Sequence, residues 1–221
     1  MTTLLHIDAS ARHARSITRD LSQRFVDAWR THRPDDKVLR RDLALDPPPL
    51  MTEAWIAAAF TPATRRDGAM QATLAWSDAA IAEVEAADLI VLGTPMYNYG
   101  MPAALKAWFD QVVRIGKTFS FDPARGDFPI GMMLGGKRLV VLSARGEFGF
   151  APGGVRAGLN HLDPHIATLA PFIGVAPDAI HTIAVEYQEF EDHRSEASRK
   201  AADAAVTSLV SRLAETRQAA E

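Results

Sequence analysis

An α/β chain built on a five-stranded parallel sheet, with helices on both faces, is what this sequence predicts. Short apolar runs alternate five times with stretches that repeat apolar side chains every three or four residues. The clearest run, Leu89-Ile90-Val91-Leu92, is bounded by turn residues and reads as a strand buried on both faces. No internal repeat, low-complexity tract or flexible linker interrupts the 221 residues, so a single domain over 1–221 is expected.

The chain opens with a strand at Thr3 to Asp8 and breaks into the loop Ala9 to Arg15. A helix starts near Ser16, because Ile17, Leu21, Phe25 and Trp29 recur at spacing four until Pro34 stops them. Lys37 to Asp42 is more polar, as an edge strand is. Ala44 to Asp67 then departs from alternation: Pro47 to Pro49 cannot sit inside a helix or a central strand, so this reads as an insertion with one short helix at Trp55 to Phe60. Ala69 to Ala86 is a long helix with Leu74, Ser77, Ile81 and Val84 on one stripe. After the buried strand, Pro102 opens a helix carrying Leu105, Trp108, Phe109 and Val112, and Gly116 fits the position just past its end. Lys117 to Gly136 is a second, turn-rich insertion. Lys137 to Ser143 is the next buried strand, Leu159 to Ile173 is mostly helical, Ala179 to Val185 is the last strand, and Asp192 to Ala219 is an amphipathic helix. Five strands suit the flavodoxin-like arrangement better than the six-stranded dinucleotide fold.

Composition narrows the chemistry. There is no cysteine, which excludes disulfides, thiolate metal sites, iron–sulfur clusters and a cysteine nucleophile. A formal charge of −3, evenly spread, gives no footprint for nucleic acid or a membrane surface. No run reaches the roughly 18 apolar residues of a membrane span, and a cytoplasmic location is expected. The seven histidines show no metal-ligand spacing; His161 and His165 are four apart but lack the HExxH pattern.

The first strand-to-helix loop constrains the ligand. No glycine precedes Gly68, so neither a dinucleotide fingerprint nor a Walker-type loop exists at this turn. Ser10, Ser16 and Thr18 gather instead where the helix begins. Hydroxyl donors, unpaired backbone N–H groups and the positive end of a helix dipole make a site for one terminal phosphate, and Arg12 and Arg15 add charge. Ser16 equally suits a plain helix cap. A mononucleotide with a flat ring would run from here to the loops at Pro95-Met96-Tyr97-Asn98-Tyr99 and Ser143 to Phe148, which leave the carboxyl ends of central strands. FMN fits this arrangement.

These residues carry a family resemblance. Pro95-Met96-Tyr97-Asn98 with Tyr99, the Leu105-Lys106 and Phe109-Asp110 spacing, and Ser10 with Ser16 and Thr18 make the chain resemble the FMN-dependent NADH azoreductases, a branch of the flavodoxin-like quinone reductases. The likeness extends over nearly the whole length. It implies that Ser10 and Ser16, Ile17 and Thr18 hold the phosphate and ribityl end, that Met96 to Tyr99 line the ring beside Pro95, and that Ser143, Ala144, Arg145, Gly146 and Glu147 close the pyrimidine side. Where the family has Ser-Arg-Gly-Gly, this chain reads Ala144-Arg145-Gly146-Glu147, so a side chain and a negative charge stand beside the ring.

The activity so implied is hydride transfer from NADH or NADPH through bound FMN to a quinone, azo or nitroaromatic acceptor, in ping-pong order. The flavin supplies the chemistry, and no side chain has to act as nucleophile. A homodimer is implied too, with the two insertions walling each other's site and Phe119 and Phe121 as contacts. A flavodoxin-type electron carrier is the alternative, although such carriers are shorter and more acidic. A hydrolase lacks support, since Ser143-Ala144-Arg145-Gly146 is not a G-x-S-x-G elbow.

Overall fold

Strand order decides where a ligand can sit. The computed structural model describes residues 1–218. Its first half runs β1 (Thr3–Asp8), α1 (Ile17–His32), β2 (Lys37–Asp42), α2 (Glu53–Phe60), α3 (Gly68–Ala86) and β3 (Leu89–Pro95). The second half runs α4 (Ala103–Val112), β4 (Phe119–Phe121), β5 (Ile130–Met132), β6 (Lys137–Ala144), α5 (Asp163–Leu169), β7 (Val175–Val185) and α6 (His193–Gln218). Ala219, the expected end of the last helix, lies outside the described residues. The main sheet has five parallel strands in the order β2-β1-β3-β6-β7. Connections from β1 go one way to β2 and the other way onward from β3, so the crevice of a switch point opens between the carboxyl ends of β1 and β3.

Alternation along each central strand feeds two cores. Leu5, Ile7, Ile90, Leu92, Leu139 and Val141 face α3, α4 and α5. Leu4, Leu89, Val91, Val140 and Leu142 face α1 and α6, where Phe25 and Trp29 meet Val206, Leu209 and Val210. Burial on both faces explains why these strands read as continuous apolar runs. In the middle, Gly93 permits a close approach: a Cβ there would lie 2.9 Å from Ser22 Oγ and 3.0 Å from both Asp8 Oδ1 and the Thr18 carbonyl oxygen. The first turn of α1 is thereby seated directly on the sheet beside the crevice.

Several expectations change in detail. Gly116 does not end α4, which closes at Val113; it takes φ +72° in the following turn, where its N–H donates to the Phe119 carbonyl at 2.8 Å. The second insertion contains a β-hairpin of its own, β4 paired with β5. The helical stretch at Leu159 to Ile173 is broken into short pieces, with α5 running into a 3-10 turn at Ala170–Ile173. The last strand begins earlier than its pattern suggests, because Val175 pairs with Lys137 and Ile180 with Leu139, so the chain around Pro177 bulges out of the ladder. The short helix of the first insertion is present as α2, and Trp55, Ala58 and Ala59 bury against Leu74 of α3. No described helix is long and apolar enough to cross a membrane.

Candidate functional site

The three loops that leave β1, β3 and β6 meet around one cleft. Ser10, Ser16, Ile17, Thr18, Pro95, Met96, Tyr97, Ala144 and Gly146 line it, joined by Arg12, Arg15, Gln188 and Glu189. Expected residues from every loop are thus brought together, while Asn98, Tyr99, Ser143, Arg145 and Glu147 stand behind or beside the lining.

At the end of the cleft formed by the start of α1, the helix cap is itself one of the lining residues. Ser16 takes an extended backbone and its Oγ accepts from Arg19 N at 3.4 Å, while lying 3.4 Å from Thr18 Oγ1. Ser10 Oγ accepts from Arg12 N at 3.2 Å. All three hydroxyl residues are buried, and Ile17 and Thr18 carry first-turn N–H groups that no earlier carbonyl can satisfy. Behind the loop stands an ion network. Arg19 pairs with Asp42 through both nitrogens, at 2.5 and 2.8 Å, and lies 3.6 Å from Asp8. Hydrogen bonding to Arg19 holds the Asp42 carboxyl below its ordinary value. Burial works to raise Asp8, but His6, Ser22 and Arg19 outweigh it and leave this carboxyl lowered as well.

The opposite end of the cleft, at the carboxyl ends of β3 and β6, is organised by backbone turns. Pro95 ends β3 opposite Ala144 of β6, and Met96 N donates to the Ala144 carbonyl at 2.9 Å, so the two loops leave the sheet side by side. Tyr97 and Gly100 then exchange both N–H···O bonds, at 3.1 and 3.0 Å, across Asn98 and Tyr99, whose φ values are +48° and +67°. Positive φ at both central positions is the mark of a type I′ turn, which suits Asn and strains Tyr. Among the described residues, the N–H groups of Asn98, Gly146 and Glu147 have no intramolecular acceptor.

The Arg145 side chain is structural: only 2 % exposed, its guanidinium meets Asp163 at 2.5 Å and Glu186 at 3.6 Å, and it lies over the Phe150 ring. Glu147 does not leave its charge on the ring wall either. Its carboxylate pairs with Arg156 at 3.0 Å and accepts from the Tyr99 hydroxyl at 3.2 Å.

Gln188 and Glu189 are cleft residues that sequence reasoning missed. They belong to a short strap after β7 that crosses the β6 loop, with Gln188 N bonded to the Arg145 carbonyl at 3.2 Å and Glu189 N to that of Gly146 at 3.0 Å. A Cβ at Gly146 would come within 2.7 Å of Glu189 Cγ, so glycine there admits the strap. The strap is clamped by Tyr187 stacked on Phe148 at 4.6 Å, with Phe190 edge-on to both. A glycine facing a glutamate far along the chain leaves no periodic trace, so nothing local in the sequence signals this contact.

A hydroxyl-lined helix N-terminus facing an apolar wall at the switch point of a five-stranded parallel sheet defines a mononucleotide-binding protein of flavodoxin-like architecture. The chain belongs to the flavodoxin-like fold family, whose model matches residues 2–209. Within that family it is 50% identical over 220 residues to the FMN-dependent NADH:quinone oxidoreductase 2 of Colwellia psychrerythraea, covering 96% of this chain and 100% of that one. It is 42% identical over 206 residues to the FMN-dependent NAD(P)H:quinone oxidoreductase 1 of Pseudomonas aeruginosa, covering 90% and 96%. Among solved structures, the azoreductase from Bacillus anthracis superposes with a TM-score of 0.84 at 23% identity, over 96% of this chain and 100% of that one, which shows a shared fold.

Proposed function

We propose that this chain is an FMN-dependent oxidoreductase that takes a hydride from NADH or NADPH and passes electrons to quinones, with azo and nitroaromatic compounds as further acceptors, in ping-pong order. The observation that carries the reading is the cleft, in which Ser10, Ser16 and Thr18 at the start of α1 face the wall of Pro95, Met96 and Tyr97. Relatives named for this activity, matched over almost their whole length, support it.

The residues present fit FMN. Ser10, Ser16 and Thr18, with the first N–H groups of α1, would hold the phosphate, where the helix dipole favours negative charge. Ile17, which lines the cleft, would flank the ribityl chain. Met96 and Tyr97 would pack on the ring, and the unpaired N–H groups of Asn98, Gly146 and Glu147 suit its polar pyrimidine edge. Ser143, Ala144 and Arg145 serve by fixing the loop that carries those groups. Bound flavin supplies reversible two-electron chemistry. The chain would orient it and shield one face, and the side beside Tyr97 and Tyr99, both partly exposed, would be left open to donor and acceptor in turn.

The proposal extends to assembly. Leu45, Leu50, Ile56 and Phe60 of the first insertion and Phe121, Phe128 and Met133 of the second are exposed, more apolar surface than scattered single residues explain. A homodimer covering both insertions accounts for it, with Phe121 as a contact; Phe119 packs edge-on to Phe172 of its own chain at 5.5 Å and would act by supporting the hairpin. We place this single-domain protein in the cytoplasm, where nicotinamide dinucleotides supply hydride, with neither a membrane nor a nucleic acid as partner.

Loading the purified protein with FMN, removing free flavin by gel filtration and following the visible spectrum of the protein fraction is the test. A yellow complex bleached by NADH without oxygen, and restored by one equivalent of quinone, is expected. A preparation that stays colourless ends the reading, and a spectrum indifferent to NADH and NADPH turns it toward an electron carrier. A mass of one chain at micromolar concentration by sedimentation removes the dimer.

A further inference from the structure

Arg19 occupies a position that helix electrostatics disfavour. It lies in the first turn of α1, where the dipole is positive and acidic side chains are preferred. Its guanidinium is not among the groups that line the cleft. Instead four of its hydrogen bonds are spent behind the loop: Nε donates to the Arg12 carbonyl at 2.8 Å, Nη2 to the Ser10 carbonyl at 2.8 Å, and both Nη atoms to Asp42. Asp42, the last residue of β2, is in turn fixed by its own bond from Ala44 N at 3.0 Å. The arrangement ties the loop to the rigid edge of the sheet.

The consequence follows from peptide geometry. In a planar trans peptide the N–H points opposite to the preceding carbonyl. With the Ser10 and Arg12 carbonyls drawn back onto Arg19, the Ala11 and His13 N–H groups turn away from it, and among the described residues neither has an intramolecular acceptor. The Arg19 backbone N–H, for its part, holds Ser16 Oγ. One residue therefore sets the direction of the loop amides and of a phosphate-facing hydroxyl, while its charge is neutralised by Asp42 and Asp8.

We propose that Arg19 is a positioning residue for the phosphate of the bound mononucleotide, acting through the loop carbonyls rather than by its charge. The inference rests on the FMN reading above and goes beyond it by assigning phosphate selectivity to a residue outside the cleft. A role of this kind affects a phosphorylated ligand and spares one that lacks phosphate.

The experiment is a fluorescence-quenching titration of the full chain, freed of flavin, with FMN and with riboflavin. The wild type is compared with Arg19→Gln, with Arg19→Lys, and with Arg41→Gln, which breaks the pair of Arg41 with Glu83 away from the cleft. Loss of charge-assisted hydrogen bonds that pre-set the loop predicts FMN binding weaker by about tenfold or more for Arg19→Gln, with riboflavin within about twofold of wild type. Arg19→Lys is expected to recover little, because an ammonium cannot reproduce the fork. Arg41→Gln is expected to leave the FMN-to-riboflavin ratio unchanged. Equal losses for both flavins in Arg19→Gln, or full FMN affinity, would overturn the proposal. Should that variant fail to fold, Asp42→Asn keeps Arg19 but removes the anchor; a selective FMN loss supports the proposal and an unselective one sinks it. A wild type that binds neither flavin refutes the FMN reading itself, and a wild type that binds FMN while the variant keeps its preference refutes only Arg19.

Discussion

The two ends of the cleft are built differently. At the phosphate end, Ser10, Ser16 and Thr18 are buried and braced by Arg19, Asp42 and Asp8 against the carboxyl edge of β1 and β2. At the ring end, Tyr97 and Tyr99 are more than a third exposed, the turn that carries them has two side-chain-bearing residues at positive φ, and Glu147 reaches Tyr99 through one surface hydrogen bond. On the proposed function the difference divides the tasks: the pre-organised end would set how tightly the cofactor is held, and the exposed end what can lie on it. Pre-organisation lowers the ordering cost of binding, whereas an open face has to accept a donor and then an acceptor of different shape.

The comparison can be broken most severely at Gly93. Gly93→Ala would press a methyl group onto Ser22, Asp8 and the Thr18 backbone at 2.9 to 3.0 Å, lifting α1 off the sheet. Overpacking of this kind costs about 1–3 kcal/mol, a fall in Tm of about 2–12 °C for a chain of this size. A thermal melt checks it, and an unchanged Tm would show that the phosphate end is softer than its contacts suggest. Ser16→Ala comes next, with about 1 kcal/mol of helix capping lost and about tenfold weaker FMN binding by titration. Equal FMN affinity in Ser16→Ala and wild type would reduce Ser16 to a cap.

Acid should act on the same end. Asp8 and Asp42 both have folded values below the ordinary 3.8. A depressed carboxylate stabilises the folded state fully above its unfolded value, and that stabilisation is lost as pH falls through the folded value. Denaturation midpoints should therefore drop below pH 3.8 in wild type and drop less steeply in Asp42→Asn, whose neutral side chain has no such ionisation to lose. The smallest effect is expected at the ring end. Glu147→Gly removes a partly exposed contact worth about 0–1 kcal/mol, so stability and FMN affinity should hardly move. Releasing Tyr99 should instead change KM for bulky acceptors more than KM for NADH. A steady-state comparison of two quinones of different width reads this, and a loss of FMN affinity equal to that of Ser16→Ala would erase the distinction between the two ends.

Much of this was legible along the chain. The alternation of strand and helix patterns gave the sheet, and hydroxyl spacing with the Pro-Met-Tyr-Asn segment marked two of the three loops, because such signals lie within a few residues of each other. Less legible were positions whose meaning comes from distant partners. Arg145 belongs to the segment that the resemblance sets at the pyrimidine side, but its side chain is spent on Asp163 and Glu186. Glu147 reads as an intrusive charge but is taken up by Arg156. Arg19 sits among ordinary helix-face charges until Asp42 and the loop carbonyls surround it.

By itself, then, the sequence determined the elements, the absence of thiol chemistry and of a glycine-rich phosphate loop, and the residue types gathered at the cleft. These follow from local physics: periodic burial, capping and the conformational limits of Pro and Gly. Tertiary structure alone decided that the strap at Gln188 and Glu189 crosses Gly146, that Gly93 seats α1, and that Arg19 ties the loop after β1 to Asp42. Each is a contact between residues that the parallel crossovers bring together from far apart in the chain, and side-chain direction across such a contact is set by packing rather than by neighbours in sequence.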